Sequence, residues 1–231
     1  MGDTHFGLLI GEFTMSLYNL RREYRLHELD LNDLAVNPID QFKIWMDQAK
    51  AIVDPNIPWY EPTTIMLATC DGQGVPHARV LLLKGFDDAG FVFFTNYDSN
   101  KGKQIAQNSN ATMVIHWAPL ERQVRVTGTL EKISTEASRK YFDSRPRGSQ
   151  LGAAASAQSQ VVANRKLLDD QVEELDKAYQ TKKIPMPRNW GGYRLKPTAI
   201  EFWQGRPNRM HDRLLYTRKE NTNWVISRLA P

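Results

Sequence analysis

Residues 63–96 read TTIMLATCDGQGVPHARVLLLKGFDDAGFVFFTN. Three β-rich runs, TTIMLATC, HARVLLLKGF and FVFFTN, are separated by two short turn clusters, DGQG and DDAG. Asp and Gly recur in tight turns because both accept the backbone angles that such turns need. Runs this dense in Val, Leu and Phe, with no helical stretch between them, predict a three-strand meander of a barrel or sandwich, and not a βαβ unit. The middle run starts at Arg79 and ends at Lys84, around the apolar Val80–Leu83. As a core strand it would carry a cation to each rim, where a ligand can sit.

Downstream, NYDSNKGKQIAQN predicts a short helix capped by Ser99 or Asp98, with Lys101 and Lys103 in its first turn. Lysines there oppose the helix dipole unless an anion is present, and a helix N-terminus offers free N–H groups to phosphate. ATMVIHW and RQVRVTGTLEKI read as two further strands joined at residues 118–121. In the second, Gln123, Arg125 and Thr127 share one face, which either lines a cavity or meets water. STEASRKYFDSRP predicts a helix stopped by Pro146. It places Tyr141 and Arg145 near Ser149, as a phosphate clamp or as a solvated helix end. Residues 152–159, GAAASAQS, are small enough to let backbone approach a flat ligand. Gln160 to about Tyr179 reads as an amphipathic helix with Val161, Leu168, Val172 and Leu175 as its stripe. IPMPRNWGGYRLKP reads as a stiff loop.

Residues 200–213, IEFWQGRPNRMHDR, begin as a strand and break at Gly205 and Pro207. Arg209, His211 and Arg213 then follow Trp203. This is either an exposed basic hairpin tip or one wall of a site for a planar anion. LLYTRK and WVISRLAP close the chain as a hairpin. At the other end, residues 1–18 read as a loosely held arm. In LRREYRLHELDLNDL, Arg21, Arg22 and Arg25 stand among acids beside Tyr24: a solvated helical turn, or a mobile segment that folds over an anionic ligand. Asn37-Pro38 is a helix start, followed by Ile39, Phe42, Trp45 or Met46, Ala49 and Ile52 at helical spacing.

The 231 residues are 41% apolar and 24% charged, ordinary for a globular protein, and the net charge of +4 is too small to argue for nucleic acid. The basic residues are spread along the chain. Cys70 is the only cysteine, so a thiolate metal cluster is excluded and a cytoplasmic setting fits. Neither a signal peptide nor a bilayer-spanning run is recognisable. Dinucleotide-binding, nucleotide-triphosphatase and serine-hydrolase motifs are missing, and the five histidines are scattered. Residues 19–231 read as one domain with attached helices, whose chemistry would come from a bound cofactor.

In order along the chain, LRREY, NPIDQF, RVLLLKGF, FFTN, LERQVRV, YFDSRPRGSQLGA, WGGYRL, IEFWQG, HDR and RLAP resemble the pyridoxine (pyridoxamine) 5′-phosphate oxidases, FMN enzymes of vitamin B6 metabolism. The resemblance runs from about Leu20 to Pro231. It implies a mainly β fold with flanking helices: a Greek-key-like split β-barrel that forms homodimers with FMN at the subunit interface. By position it assigns FMN to Arg79, Val80, Leu81 and Leu82, to Phe94, Thr95 and Lys101, to Gln123, Gln158 and Ser159, and to Trp203 and Arg213. It assigns the substrate phosphate to Lys84, Tyr141, Arg145 and Ser149. Arg209 and His211 would meet the pyridine ring and reacting carbon, with Met210 between them, and Arg21, Arg22, Glu23 and Tyr24 would form a lid. The implied substrates are pyridoxine and pyridoxamine 5′-phosphate and O2. Three positions depart from the pattern: Asn100 stands where Arg is usual beside the FMN phosphate, Met210 where Leu is common, and Ala154 where some members have a bulkier residue. A flavin reductase on the same barrel, or a carrier that binds without turnover, are the rival implications.

Overall fold

The computed structural model describes residues 22–219 and 223–231. The arm expected over residues 1–18 and the lid position Arg21 lie outside the described residues. Helix α1 (Pro38–Ala51) is capped by the Asn37 side chain, which accepts the Ile39 N–H, and has proline in its first turn. Its buried side is Ile39, Phe42, Trp45, Met46 and Ala49. Ile52, expected on that side, forms the helix cap and is 39% exposed.

The strands are β1 (Thr64–Cys70), β2 (Pro76–Leu82), β3 (Gly85–Asp87), β4 (Gly90–Asn96), β5 (Asn110–Trp117), β6 (Arg122–Lys132), β7 (Trp190–Gln204), β8 (Asp212–Arg218) and β9 (Trp224–Leu229). They form one sheet in the order β2-β1-β5-β6-β7-β4-β3, with β8 on β7 and β9 on β8. Among the described residues every strand pair is antiparallel, and period-2 alternation turns Ile65, Leu67, Met113, Ile115, Val124, Val126, Phe202 and Leu214 into one core. Phe42 of α1 packs edge-on to Phe86 and Phe91 with centroids 4.8 and 4.9 Å away, and Trp45 meets Phe202 at 5.1 Å. The helix thereby fills the same core.

The meander predicted over residues 63–96 is corrected. Its middle run is two strands that belong to opposite ends of the sheet. Leu83 N–H donates to Thr63 O beside β1, whereas the next residue, Lys84, donates to Val92 O of β4. One peptide therefore joins the first and last strands of the path, which curls the sheet into a barrel split between β2 and β3. β2 has β1 as its sheet partner and is not a core strand: Val80 is 63% exposed and Leu82 39%.

Outside the barrel lie α2 (Asn100–Gln107), α3 (Thr135–Ser144), α4 (Arg147–Ala155) and α5 (Arg165–Ala178). Ile105 of α2 joins the main core, while α3 and α4 form a second core around Phe142, Leu151, Ile184 and Trp190, onto which Val172 and Leu175 of α5 pack. Residues 152–155 are the end of α4, where alanine is the best helix former, and Gly152 and Ala153 line a cavity. Two expectations fail here. α5 starts at Arg165 and not at Gln160, because Asn164 caps it through Leu167 N–H, so Val161 is left fully exposed. Of the stretch 184–197 read as a stiff loop, residues 190–197 are the first half of β7. Pro197 is tolerated inside this strand because the β6 register shifts at Thr127/Gly128 beside it. Gly191 is required where β7 crosses Tyr97, whose hydroxyl would lie 2.2 Å from an added Cβ. Residues 22–30 are irregular, with a short 3-10 turn at Leu31–Asp33, so the helical reading of that segment also fails.

Candidate active site

A cavity of about 590 Å³ opens between the β2–β3 junction, β4 and α3–α4. Leu81, Leu82, Lys84, Phe94, Thr95, Tyr141, Arg145, Ser149 and Gln158 all line it. The α3–α4 junction supplies the clamp: Tyr141 lies in the last turn of α3, Arg145 caps it, and Ser149 sits in the first turn of α4. Phe94 of β4 stacks on Tyr141 with centroids 3.9 Å apart, and on Trp190 at 5.5 Å. The Arg145 guanidinium lies 5.0 Å above the Trp190 ring. Its Nη1 is buried without a hydrogen-bond partner. Burial pulls its pKa down, opposed by neighbouring Tyr141, and burial raises that of Tyr141 itself. A buried, unpartnered guanidinium beside Lys84 and Ser149 is an arrangement that an anion would complete.

A second cationic group adjoins this cavity through its lining residues Thr95 and Gln158. Arg79 donates to Leu67 O, Thr69 Oγ1 and Gln104 Oε1, at 3.1, 2.6 and 3.0 Å. Lys101 Nζ donates to Thr95 Oγ1, Ser99 Oγ and Gln158 Oε1, at 3.1, 3.2 and 2.8 Å. All of these acceptors are neutral. Burial and then the Arg79 charge push Lys101 down to about 8. Ser99 caps α2 through Gly102 N–H, and Asn100 N–H donates to Ser159 Oγ at 3.2 Å. Asn100 is exposed, and so is Lys103, which leaves Lys101 as the buried lysine of this helix.

A separate cavity of about 630 Å³ is lined by Arg22, Glu23, Tyr24, Trp203, Arg206, Asn208, Arg209 and His211. Asn208 and Arg209 adopt φ of 55° and 61°, a left-handed backbone that non-glycine residues rarely take. His211 Nδ1 accepts the Arg206 N–H at 3.1 Å, so a neutral ring carries its proton on Nε2. Burial first, then Arg209, lowers the His211 pKa, which keeps the ring neutral at pH 7. Trp203 and His211 lie 4.6 Å apart.

The expected site residues are thus gathered into two groups. Fourteen residues of β7, roughly 40 Å of extended strand, run from Trp190 at the first cavity to Trp203 at the second. Arg213 lines neither cavity and is held by Glu201 and Ala230 O. Gln123 faces Trp203 across β6–β7. Val80 and Met210, 63% and 66% exposed, line neither cavity. Ala154 packs against the second core. Asn96, Pro146 and Trp190 line the first cavity and Arg206 and Asn208 the second, none of them singled out in the sequence, whereas Gly152, Ala153 and Ser156 of the small stretch 152–159 line the first as expected. The WGGYRL motif could have marked Trp190, but its glycines and the prolines on either side of it read as loop.

Residues 47–179 match the family described as pyridoxamine 5′-phosphate oxidase, and residues 190–231 match the pyridoxine 5′-phosphate oxidase C-terminal dimerisation region. A pyridoxine/pyridoxamine 5′-phosphate oxidase of Crocosphaera subtropica is 52% identical over 219 residues, covering 94% of this chain and 100% of that one. One of Paraburkholderia phytofirmans is 52% identical over 217 residues, covering 94% and 99%. Among solved structures, PhzG of Burkholderia lata in complex with tetrahydrophenazine-1-carboxylic acid superposes with a TM-score of 0.79 at 29% identity, covering 87% of this chain and 95% of that one. A pyridoxamine 5′-phosphate oxidase-related, FMN-binding protein of Nostoc punctiforme shares the fold, with a TM-score of 0.66 at 19% identity over 86% and 99%. The sheet is the split barrel of these proteins, and the chain belongs to the pyridoxamine 5′-phosphate oxidase family of oxidoreductases.

Proposed function

We propose that this chain is an FMN-dependent oxidase that converts pyridoxine and pyridoxamine 5′-phosphate to pyridoxal 5′-phosphate. The alcohol and O2 give the aldehyde and H2O2; the amine, O2 and water give the aldehyde, ammonia and H2O2. The observation that carries this reading is Arg145 with its buried, unpartnered Nη1 in the cavity shared with Lys84, Tyr141 and Ser149. That set suits a phosphate ester, which the relatives' names also specify.

The residues fit FMN as well. Arg79 and Lys101 are two buried or half-buried cations whose acceptors are all neutral, and a dianionic phosphate balances them. FMN, when bound, supplies the acceptor for a hydride equivalent, which no side chain here can replace. The chain's own residues place the substrate. Lys84, Arg145 and Ser149 fix its phosphate, while Phe94, Tyr141 and Trp190 form an aromatic wall. Arg209 stabilises charge at the reacting carbon, and the His211 Nε2–H donates a hydrogen bond to the substrate.

The two cavities stand at opposite ends of β7, so the complete site combines the first cavity of one copy with the second cavity of another. Two observations support a homodimer. The region matched as dimerising, residues 190–231, carries Trp203, Arg209 and His211. Val80 and Met66, paired across β2–β1 and 63% and 51% exposed, present apolar surface on the outer face of the sheet.

The deciding experiment is the visible spectrum of the flavin-loaded protein under anaerobic pyridoxine 5′-phosphate. The expected result is bleaching that reverses on admitting air. A bound flavin that bleaches only with a reduced nicotinamide would replace this reading with a flavin reductase.

Lys101 makes flavin binding pH-dependent. Below about 8 its ammonium is charged and attracts the FMN phosphate; above that value the apo protein must take up a proton to regain the contact. FMN affinity, followed by quenching of flavin fluorescence, is therefore expected to be flat to about pH 8 and to fall beyond it. Riboflavin, which lacks the phosphate, should show a weaker dependence. A constant FMN affinity from pH 6.5 to 9.5 would remove Lys101 from the site.

A further inference from the structure

We propose that Glu121 is a positioning residue: its carboxylate docks the strap Arg22–Leu26 so that Tyr24 stands over the Trp203–His211 end of the substrate site. The inference rests on the function proposed above and assigns the strap its anchor. Glu121 ends the short 3-10 turn Ala118–Leu120 between β5 and β6, with a left-handed backbone at φ 54° and ψ 38°. It is 2% exposed. Its Oε2 accepts two main-chain donors of the strap, Arg25 N–H at 2.8 Å and Leu26 N–H at 3.0 Å. Its Oε1 accepts Arg22 Nη2 at 3.1 Å. The same residue's carbonyl accepts Gly205 N–H at 2.8 Å, just past the end of β7. One residue in an unusual conformation thus binds the strap with its side chain and the base of the second cavity with its backbone.

Gly205 completes the seat. A Cβ at that position would lie 2.7 Å from Tyr24 Cγ and 2.8 Å from Tyr24 Cβ, and the three nearest atoms to it all belong to Tyr24. Tyr24 then stands edge-on to Trp203 at 5.6 Å and to His211 at 5.7 Å. The rest of the strap adds little, since Arg22, Glu23, Arg25 and Leu26 are exposed and Arg25 pairs with Glu23, two residues away. A carboxylate is needed because it alone offers acceptors to all three donors; an amide would turn one N–H group towards another.

Two variants attack the seat from opposite sides: Glu121→Gln removes acceptors, and Gly205→Ala expels Tyr24. In the FMN-loaded full chain each is expected to raise KM for pyridoxine 5′-phosphate by about tenfold or more, with kcat within about threefold, the pattern of lost substrate binding. FMN affinity and melting temperature should stay at their wild-type values. Trypsin should cut after Arg22 and Arg25 faster than in the wild type. In a Tyr24→Ala background neither substitution should raise KM further, because all three act through one contact. An unchanged KM, an unchanged cleavage rate, additive effects with Tyr24→Ala, or a parallel loss of FMN affinity and melting temperature would each overturn the proposal. If the wild type itself fails to oxidise the substrate, the functional reading falls, and the cleavage rates still decide whether Glu121 anchors the strap.

Discussion

Replacing Arg145 with alanine is expected to raise KM for pyridoxine 5′-phosphate by roughly 100–1000-fold while leaving the fold about as stable as before. Charge-assisted hydrogen bonds are worth about 1.5–3 kcal/mol each, and each 1.4 kcal/mol or so is a tenfold change in affinity. Two such bonds to a phosphate therefore give about two to four orders of magnitude, and the lower part of that range is expected because Lys84 and Ser149 stay in the cavity. The effect on stability is a near-cancellation. The substitution removes the contact of the guanidinium with Trp190, at 5.0 Å, which is worth about 0.5–2 kcal/mol as a cation–π pair. It also removes a buried nitrogen with no partner, whose desolvation opposes folding. Thermal melting and steady-state kinetics on one preparation separate the two. A KM within threefold of wild type would end the assignment of this cavity to phosphate. Arg145→Lys should recover only part of the loss, because an ammonium cannot reproduce a planar, two-pronged donor stacked on an indole.

The second large effect is placed on Arg209. Arg209→Ala should lower kcat by about 100–1000-fold with a smaller change in KM, the size seen when a donor aimed at developing charge is removed. Its backbone supports a functional reading. Asn208 and Arg209 are consecutive left-handed residues, and such strain costs on the order of 1 kcal/mol or more at each non-glycine position. Arg209→Gly should therefore match the alanine variant in kcat yet be more stable. Since Arg209 is one of the causes that lower the His211 pKa, either variant should let that pKa rise. The acidic limb of the pH–rate profile would then move to higher pH. Wild-type turnover in Arg209→Ala would exclude it from the reaction.

Local chemistry was legible in the sequence wherever the causes were local. Asn37-Pro38 starts α1 through a side chain and a ring that act within two residues. Tyr141, Arg145 and Ser149 recur every four residues across one helix end, so the short-range spacing itself brings them to one cavity. The failures have distant causes. Leu83 and Lys84 change sheet neighbours because Thr63 and Val92, twenty and eight residues away, accept their N–H groups. β7 was hidden by Gly191, Gly192 and Pro197, whose reasons are Tyr97 lying against the strand and a register shift in β6. α4 carries two signals at once: the helix propensity of three successive alanines forms it, and the small size of Gly152 and Ala153 lets it border the cavity. Glu121 had no signal at all, because a single carboxylate in a turn acquires meaning only from the strap some 96 residues before it.

The position of β7 in the sheet also sets the order in which the molecule can be made. β4 ends at residue 96 and β6 at residue 132, and each must wait for residues 190–204 to cover its free edge. While the chain emerges from the ribosome, the two edges stay open through the synthesis of α3, α4 and α5, and unpaired edges invite association with other chains. Closure is then a long-range event, of the kind that folds slowly and not in microseconds. The surface most in need of a chaperone is accordingly the gap between β4 and β6, and the protein leaves that vulnerable stage when a single fifteen-residue ribbon slots between them.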